Sequence, residues 1–228
     1  MNVVLFIQAR LKSDRLPNKM ILPLCGRFVI EQALAASIYI NVDRHILLTD
    51  YESYDTLCLY AHKYGFKAFS GPEENVLKRF CNAIRYFDAD VVLRLTADKV
   101  IVSYEYINKM IKSFLDSDLR EISFMHCTGQ PYVQTTAGIF KASALLEMEK
   151  RDDLTMFDKE HIKPYFLKNY EFVTDVSHIE GWDENIKLTI DTEEDYLFIK
   201  KLFGDLYRNR PIAVEDVLEW YKNEYKNP

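Results

Sequence analysis

Between Arg10 and Lys19 the chain places four cations, Arg10, Lys12, Arg15 and Lys19, against the single acid Asp14. They follow on the apolar run Val3-Val4-Leu5-Phe6-Ile7. A basic loop at the carboxyl end of a buried strand suits an anion, above all a nucleotide's phosphate chain. It equally suits a solvated basic turn, and charge alone does not separate the two. Two acids take comparable positions. Asp98 follows the run Val91-Val92-Leu93-Arg94-Leu95-Thr96, and Asp191 follows Ile186–Ile190. Carboxylates delivered together at strand ends could hold Mg²⁺, and the metal would screen a polyphosphate. The plainer reading makes both acids turn or cap residues, positions Asp favours anyway.

For these residues to meet, the strands carrying them must lie side by side. The pattern supports that arrangement, because strand-like and helix-like segments alternate. Val3–Ala9, His45–Asp50, Lys67–Ser70 and Val91–Thr96 read as strands. Between them Phe28–Ile38, Tyr54–Tyr64 and Glu74–Phe87 carry apolar residues at helical spacing. A helix over Ser103–Leu115 and a strand over Ile122–His126 follow. The second half is less regular. It predicts strands at Ala137–Phe140, Phe172–Ser177 and Ile186–Ile190, and helices at Ala142–Glu149, Lys159–Asn169 and Val214–Tyr225. Thr192 and Asp195 have the spacing of a capping box opening a helix to about Tyr207. Alternation of this kind implies an α/β, doubly wound and largely parallel sheet with ligands at the strands' carboxyl ends.

Composition narrows the partners. The 228 residues suit one domain, and 48% hydrophobic with 28% charged residues is ordinary globular usage. A net charge of −6 disfavours nucleic acid and membrane surfaces, so a small anion in a local basic pocket fits better. No apolar run approaches the ~20 residues needed to cross a bilayer. Cys25, Cys58, Cys81 and Cys127 have no C-x-x-C spacing, which leads us to expect reduced thiols in a cytoplasmic protein without zinc.

Gln8-Ala9-Arg10, followed by Ser13-x-Arg15-Leu16-Pro17-x-Lys19, resembles the opening signature of the sugar-acid cytidylyltransferases. These include the CMP-Kdo and CMP-sialic acid synthetases, and the chain is most similar to the spore-coat polysaccharide biosynthesis F-type branch. Four further segments resemble that branch in the same order: Gly71–Arg79, Val92–Asp98, Lys159–Tyr165 and Leu188–Asp195. The resemblance implies a Rossmann-like fold of the nucleotide-diphospho-sugar transferase type, with an excursion at about 129–185 for acceptor binding and dimerisation. The implied reaction joins CTP and a sugar acid into a CMP-sugar and pyrophosphate, for surface polysaccharide biosynthesis. Ala9, Arg10, Ser13, Arg15, Lys19 and Arg79 would bind the nucleotide, with Arg10, Lys19 and Asp98 catalytic. Asp98 and Asp191 would hold Mg²⁺, and Glu160 and His161 would meet the acceptor. A homodimer is implied, with Gly129–Phe140 as its interface strand. A sugar hydroxyl attacks the α-phosphorus and pyrophosphate leaves, so catalysis is mostly positioning and charge neutralisation.

The chain also departs from the pattern. Lys12 and Asn18 stand where relatives carry Gly, so a positive φ is expected at both. Asn tolerates that backbone, whereas Lys resists it by about 1 kcal/mol. Asn75 replaces an Asp, Lys99–Ser103 replaces a Pro-containing acidic run, and Thr136 and Gly138 fall where acids are usual. One reading is an active variant with Lys12 and Lys99 as extra phosphate cations. A second is a degenerate paralogue that binds nucleotide or sugar without turnover. A glycosyltransferase of similar fold would want a D-x-D pair, but Lys99 and Val100 follow Asp98. Arg94 reads as a structural ion-pair partner, Gln8 and Thr96 as a hydrogen-bonding frame, and His161 alternatively as packed under Tyr165.

Overall fold

A computed structural model of the protein describes residues 1–117 and 121–224. Its strands are β1 (Val3–Gln8), β2 (Pro23–Leu24), β3 (Arg27–Phe28), β4 (Arg44–Asp50), β5 (Lys67–Gly71), β6 (Val91–Thr96), β7 (Phe124–Cys127), β8 (Gly138–Lys141) and β9 (Phe172–Asp175). The helices are α1 (Val29–Ser37), α2 (Tyr54–Lys63), α3 (Val76–Phe87), α4 (Tyr104–Asp116), α5 (Tyr132–Thr135), α6 (Ala142–Glu149), α7 (Met156–His161), α8 (Lys163–Asn169), α9 (Glu193–Leu206) and α10 (Val214–Glu224). The last was expected to reach Tyr225, which lies outside the described residues.

Seven strands form one sheet in the order β5-β4-β1-β6-β8-β7-β9, while β2 and β3 make a small hairpin. Only β8 runs against the others. The expected α/β, largely parallel architecture is therefore present. Continuous apolar strands follow from burial on both faces. In β1, Val3, Leu5 and Ile7 pack with α1, α4, α9 and α10, whereas Val4 and Phe6 pack with α3, α6 and α8. Among the described residues no helix is long and apolar enough to cross a membrane.

Three expectations change. The helix expected over Lys159–Asn169 is two helices, broken at Ile162, whose φ is 59°. Pro164 explains the break, since it has no N–H to donate and its ring would meet the carbonyl four residues back. The segment Ile186–Ile190 is no strand and makes a single bridge, Lys99 to Thr189. It is extended, with Ile186, Leu188 and Ile190 buried, but it runs past the end of β6 where only a turn is left to pair with. Finally, residues 129–185 are not an appendage, because they supply β8 and β9 to the main sheet. Within Gly129–Phe140, residues Tyr132–Thr135 are helical and β8 is paired on both sides, so this stretch offers no free strand edge.

Candidate active site

Parallel pairing aligns Gln8 of β1 with Thr96 of β6. The two chains leave the sheet together, so the loop after β1 faces the turn containing Asp98. Asp191 arrives by a separate route. The Ile190 N–H donates to the Asp98 carbonyl at 3.1 Å, next to the Lys99–Thr189 bridge. The expected capping box then fixes the start of α9. Thr192 Oγ1 accepts from the Asp195 N–H at 3.3 Å, and Asp195 Oδ2 accepts from the Thr192 N–H at 2.9 Å.

These segments enclose a cleft of about 460 Å³. Ala9, Arg10, Ser13, Arg15, Lys19, Arg79, Asp98, Glu160 and Asp191, the candidates named from the resemblance, all line it. Lys19 lies at its centre. Its Nζ donates to the Ile190 carbonyl at 2.7 Å and contacts Asp98 Oδ2 at 3.3 Å and Asp191 Oδ1 at 3.4 Å. Arg15 meets the same Asp191 oxygen at 3.1 Å, and Lys187 meets Asp191 Oδ2 at 3.3 Å. Burial pushes the Asp191 carboxyl up, but Lys19, Lys187 and Arg15 outweigh it and hold the group below its ordinary value. On the opposite wall Glu73 pairs with Arg10 at 3.5 Å and Lys12 at 3.4 Å. An incoming polyanion would thus exchange partners with acids already holding the cations.

Arg79 is 1% exposed, under the start of the cleft. Its Nη1 donates to the Pro72 carbonyl at 2.9 Å, while its Nε has no hydrogen-bond partner. Burial lowers this guanidinium to about 10, with Asp50 opposing the shift. A buried cation with an unused donor, at the edge of an anion-binding cleft, suits a phosphate oxygen.

The backbone of the basic loop is anchored by residues that pattern reading missed. Asp50, at the end of β4, accepts from the Ser53 N–H and hydroxyl, both at 2.8 Å. Ser53 Oγ in turn accepts from the Leu11 N–H at 2.9 Å. Asn18 takes the left-handed backbone expected of it, with φ 57°. Lys12 does not, so the anticipated strain there is absent. Glu73 and Lys187 were also missed, the latter despite standing four residues before Asp191.

Other expectations move away from the cleft. His161 does not line it, and its exposed ring packs on Phe157 at 4.4 Å rather than under Tyr165. Arg94 makes no ion pair among the described residues. It donates to the His161 carbonyl at 2.6 Å, the Glu160 carbonyl at 3.5 Å and Gln8 Oε1 at 3.3 Å. The helix break at Ile162 leaves those two carbonyls without a continuing ladder, and a cation there also complements the end of α7. Gln8 and Thr96 line the cleft, Gln8 with the framing bond just described. Lys99 is directed elsewhere, donating to the Val133 and Thr136 carbonyls at 3.2 and 2.8 Å. Burial lowers its ammonium to about 8. Asn75 is the N-cap of α3, accepting from the Lys78 N–H at 2.9 Å, a role Asn fills as well as Asp.

Among the described residues no group of three or more His, Cys, Asp or Glu is arranged to hold a metal. Mg²⁺ asks less of the protein, taking one or two carboxylates together with substrate phosphates. Asp98 Oδ1 is buried without a hydrogen-bond partner, which is the condition a cation would relieve. Asp98 and Asp191, both within reach of one ammonium, therefore fit such an ion.

The geometry can be set beside known proteins. The sequence profile of the cytidylyltransferase family matches residues 4–221. The spore coat polysaccharide biosynthesis protein SpsF of Bacillus subtilis (strain 168) is 31% identical over 229 residues, covering 96% of this chain and 93% of that protein. The solved structure of a cytidylyltransferase from Leptospira borgpetersenii superposes with a TM-score of 0.87 at 26% identity, covering 98% of this chain and 95% of its own. A CMP:2-keto-3-deoxy-manno-octonic acid synthetase complexed with CTP shares the fold, with a TM-score of 0.70 at 14% identity over 90% of this chain and 99% of its own. A strand-end cleft built from the loop after β1, in a chain matched almost end to end, leads to one assignment: this protein belongs to the cytidylyltransferase family.

Proposed function

We propose that the protein transfers CMP from CTP to a sugar acid, releasing pyrophosphate, in surface polysaccharide biosynthesis. The observation that carries this reading is Lys19, which joins Asp98 and Asp191 at the floor of a cleft walled by Arg10, Lys12 and Arg15. That arrangement surrounds the space for a triphosphate with cations, each already paired to a carboxylate. Arg10, Lys12 and Arg15 take the phosphate oxygens in exchange for Glu73 and Asp191. Lys19 stays fixed by the Ile190 carbonyl, so its charge is oriented before substrate arrives. Arg79 supplies a second, less mobile donor from below. Asp98 and Asp191 would hold Mg²⁺, which when bound neutralises phosphate charge. Glu160, exposed and lining the cleft, would meet the acceptor. The resemblance to known cytidylyltransferases supports the choice of nucleotide. A cytoplasmic homodimer belongs to the same proposal, with contacts made by surfaces other than β8.

The test is a binding screen of CTP, UTP, ATP and GTP, each with and without Mg²⁺, followed by pyrophosphate release with a panel of sugar acids. CTP with Mg²⁺ is expected to bind best. A preference for ATP or GTP, or equal binding of all four, would remove the cytidylyltransferase reading.

A further inference from the structure

Beside the main cleft lies a second pocket of about 170 Å³, and the two share Thr96. Its walls include Arg94, Lys99, His126 and Lys163 but no Asp or Glu. Such one-sided charge is unusual in a protein with a net charge of −6. The polar groups are held in place. Lys99 spends two of its three N–H donors on the Val133 and Thr136 carbonyls, which leaves the third for the pocket. His126 is 5% exposed and bonds Thr174 Oγ1 through Nε2 at 3.2 Å, while its Nδ1 has no hydrogen-bond partner. Lys163 opens α8 directly after the break at Ile162, half-buried and in no ion pair among the described residues. Phe124 and Phe140 form an apolar side, stacked at 4.4 Å.

The volume equals roughly five or six waters at ~30 Å³ each, enough for the acidic head of a sugar but not for a nucleotide. We propose that this pocket, next to the triphosphate cleft, receives the carboxylate end of the acceptor, with Lys99 and Lys163 as its specificity-determining counter-charges. This rests on the cytidylyltransferase reading, since an acceptor must lie beside the α-phosphate. The shared Thr96 wall provides that adjacency. Asp98 lines the first cleft and Lys99, the next residue in the turn after β6, lines the second. One serves the phosphates and its neighbour the acceptor. The pocket selects by charge, because a neutral analogue would leave Lys99 and Lys163 half-buried and uncompensated.

The experiment is calorimetric titration of the full chain with 3-deoxy-manno-octulosonate and N-acetylneuraminate, and with their methyl esters, in the presence and absence of CTP. At least one acid is expected to bind, with its ester tenfold or more weaker. Lys163→Gln, which removes no side-chain hydrogen bond among the described residues, should weaken that acid at least tenfold and leave CTP affinity unchanged. Lys99→Gln should do the same and is judged only if its melting curve matches the parent. Binding of neither acid, equal binding of acid and ester, or unchanged acid affinity in Lys163→Gln would overturn the proposal. Loss of CTP binding alone counts against the nucleotide reading, and acid binding measured without CTP still decides the pocket.

Discussion

Lys19 and Asp98 meet at 3.3 Å although they leave the sheet from two different strands, and the same ammonium holds Asp191 at 3.4 Å. One cation thus sets the spacing of two carboxylates and presents charge to whatever enters between them. Replacing Lys19 with Ala should reduce turnover by about 10² to 10³-fold, the usual effect of removing one oriented transition-state contact. The loss should fall mainly on kcat. Asp98→Asn should lower activity comparably and flatten its Mg²⁺ dependence. Steady-state pyrophosphate release over a Mg²⁺ series measures both, and wild-type turnover in Lys19→Ala would refute the role given to it.

The relay Asp50–Ser53–Leu11 makes a different prediction. Ser53 is 2% exposed, and its hydroxyl connects a buried carboxylate to the backbone of the basic loop. Ser53→Ala leaves the Leu11 N–H and an Asp50 oxygen unpaired, costing about 1–3 kcal/mol. A loosened loop should also bind CTP several-fold more weakly. Denaturant unfolding and nucleotide titration test the two effects, and an unchanged CTP affinity would reduce the relay to a purely structural feature.

Why the sequence revealed some of this and not the rest follows from what each residue depends on. β1 and β6 are legible because burial on both faces demands continuous apolar runs. Thr192 and Asp195 are legible because a helix cap is local chemistry. Glu73 and Ser53 are not, since their partners are decided by how the ends of β4 and β5 lie against the loop after β1. Lys99 misled for a related reason. Its position beside Asp98 suggested a shared ligand, but the Val133 and Thr136 carbonyls, distant in sequence, draw its ammonium into the neighbouring pocket. His161 depended on a helix that Pro164 divides, and the division turned its carbonyl, rather than its ring, toward Arg94.

Gly71 closes β5 directly against Arg79. A Cβ added there would lie 2.9 Å from Arg79 Cγ and 3.0 Å from its Cβ, positions that cannot swing aside as a side-chain tip can. Gly71→Ala should therefore cost about 1–3 kcal/mol by overpacking and weaken CTP binding by displacing the guanidinium. Gly204→Ala is the control. Nothing lies within 4 Å of its added methyl inside α9, so stability should rise by up to about 1 kcal/mol. Equal melting shifts in the two variants would contradict the assigned contact.

Acid should weaken the layer formed by α3 and α6 through Glu149. This carboxylate pairs with Lys78 at 3.0 Å and with Arg85. Burial would raise it, but the hydrogen bond from Arg85 and the charge of Lys78 prevail, so the folded group sits below its ordinary value of 4.5. The unfolded chain then binds more protons as the pH falls through 4.5. The pair's contribution is complete above that value and is lost as the pH drops through the lower, folded value. Lys78 and Arg85 are about half exposed, which keeps the contribution near ~1 kcal/mol after solvent screening. Glu149→Gln should lower stability by that amount at pH 7 and converge on the parent once the pH has dropped below the folded group's lowered value, where both carry an uncharged side chain. Melting temperatures from pH 7 to pH 3 measure this, and two curves that stay parallel throughout would show that Glu149 does not carry the acid sensitivity.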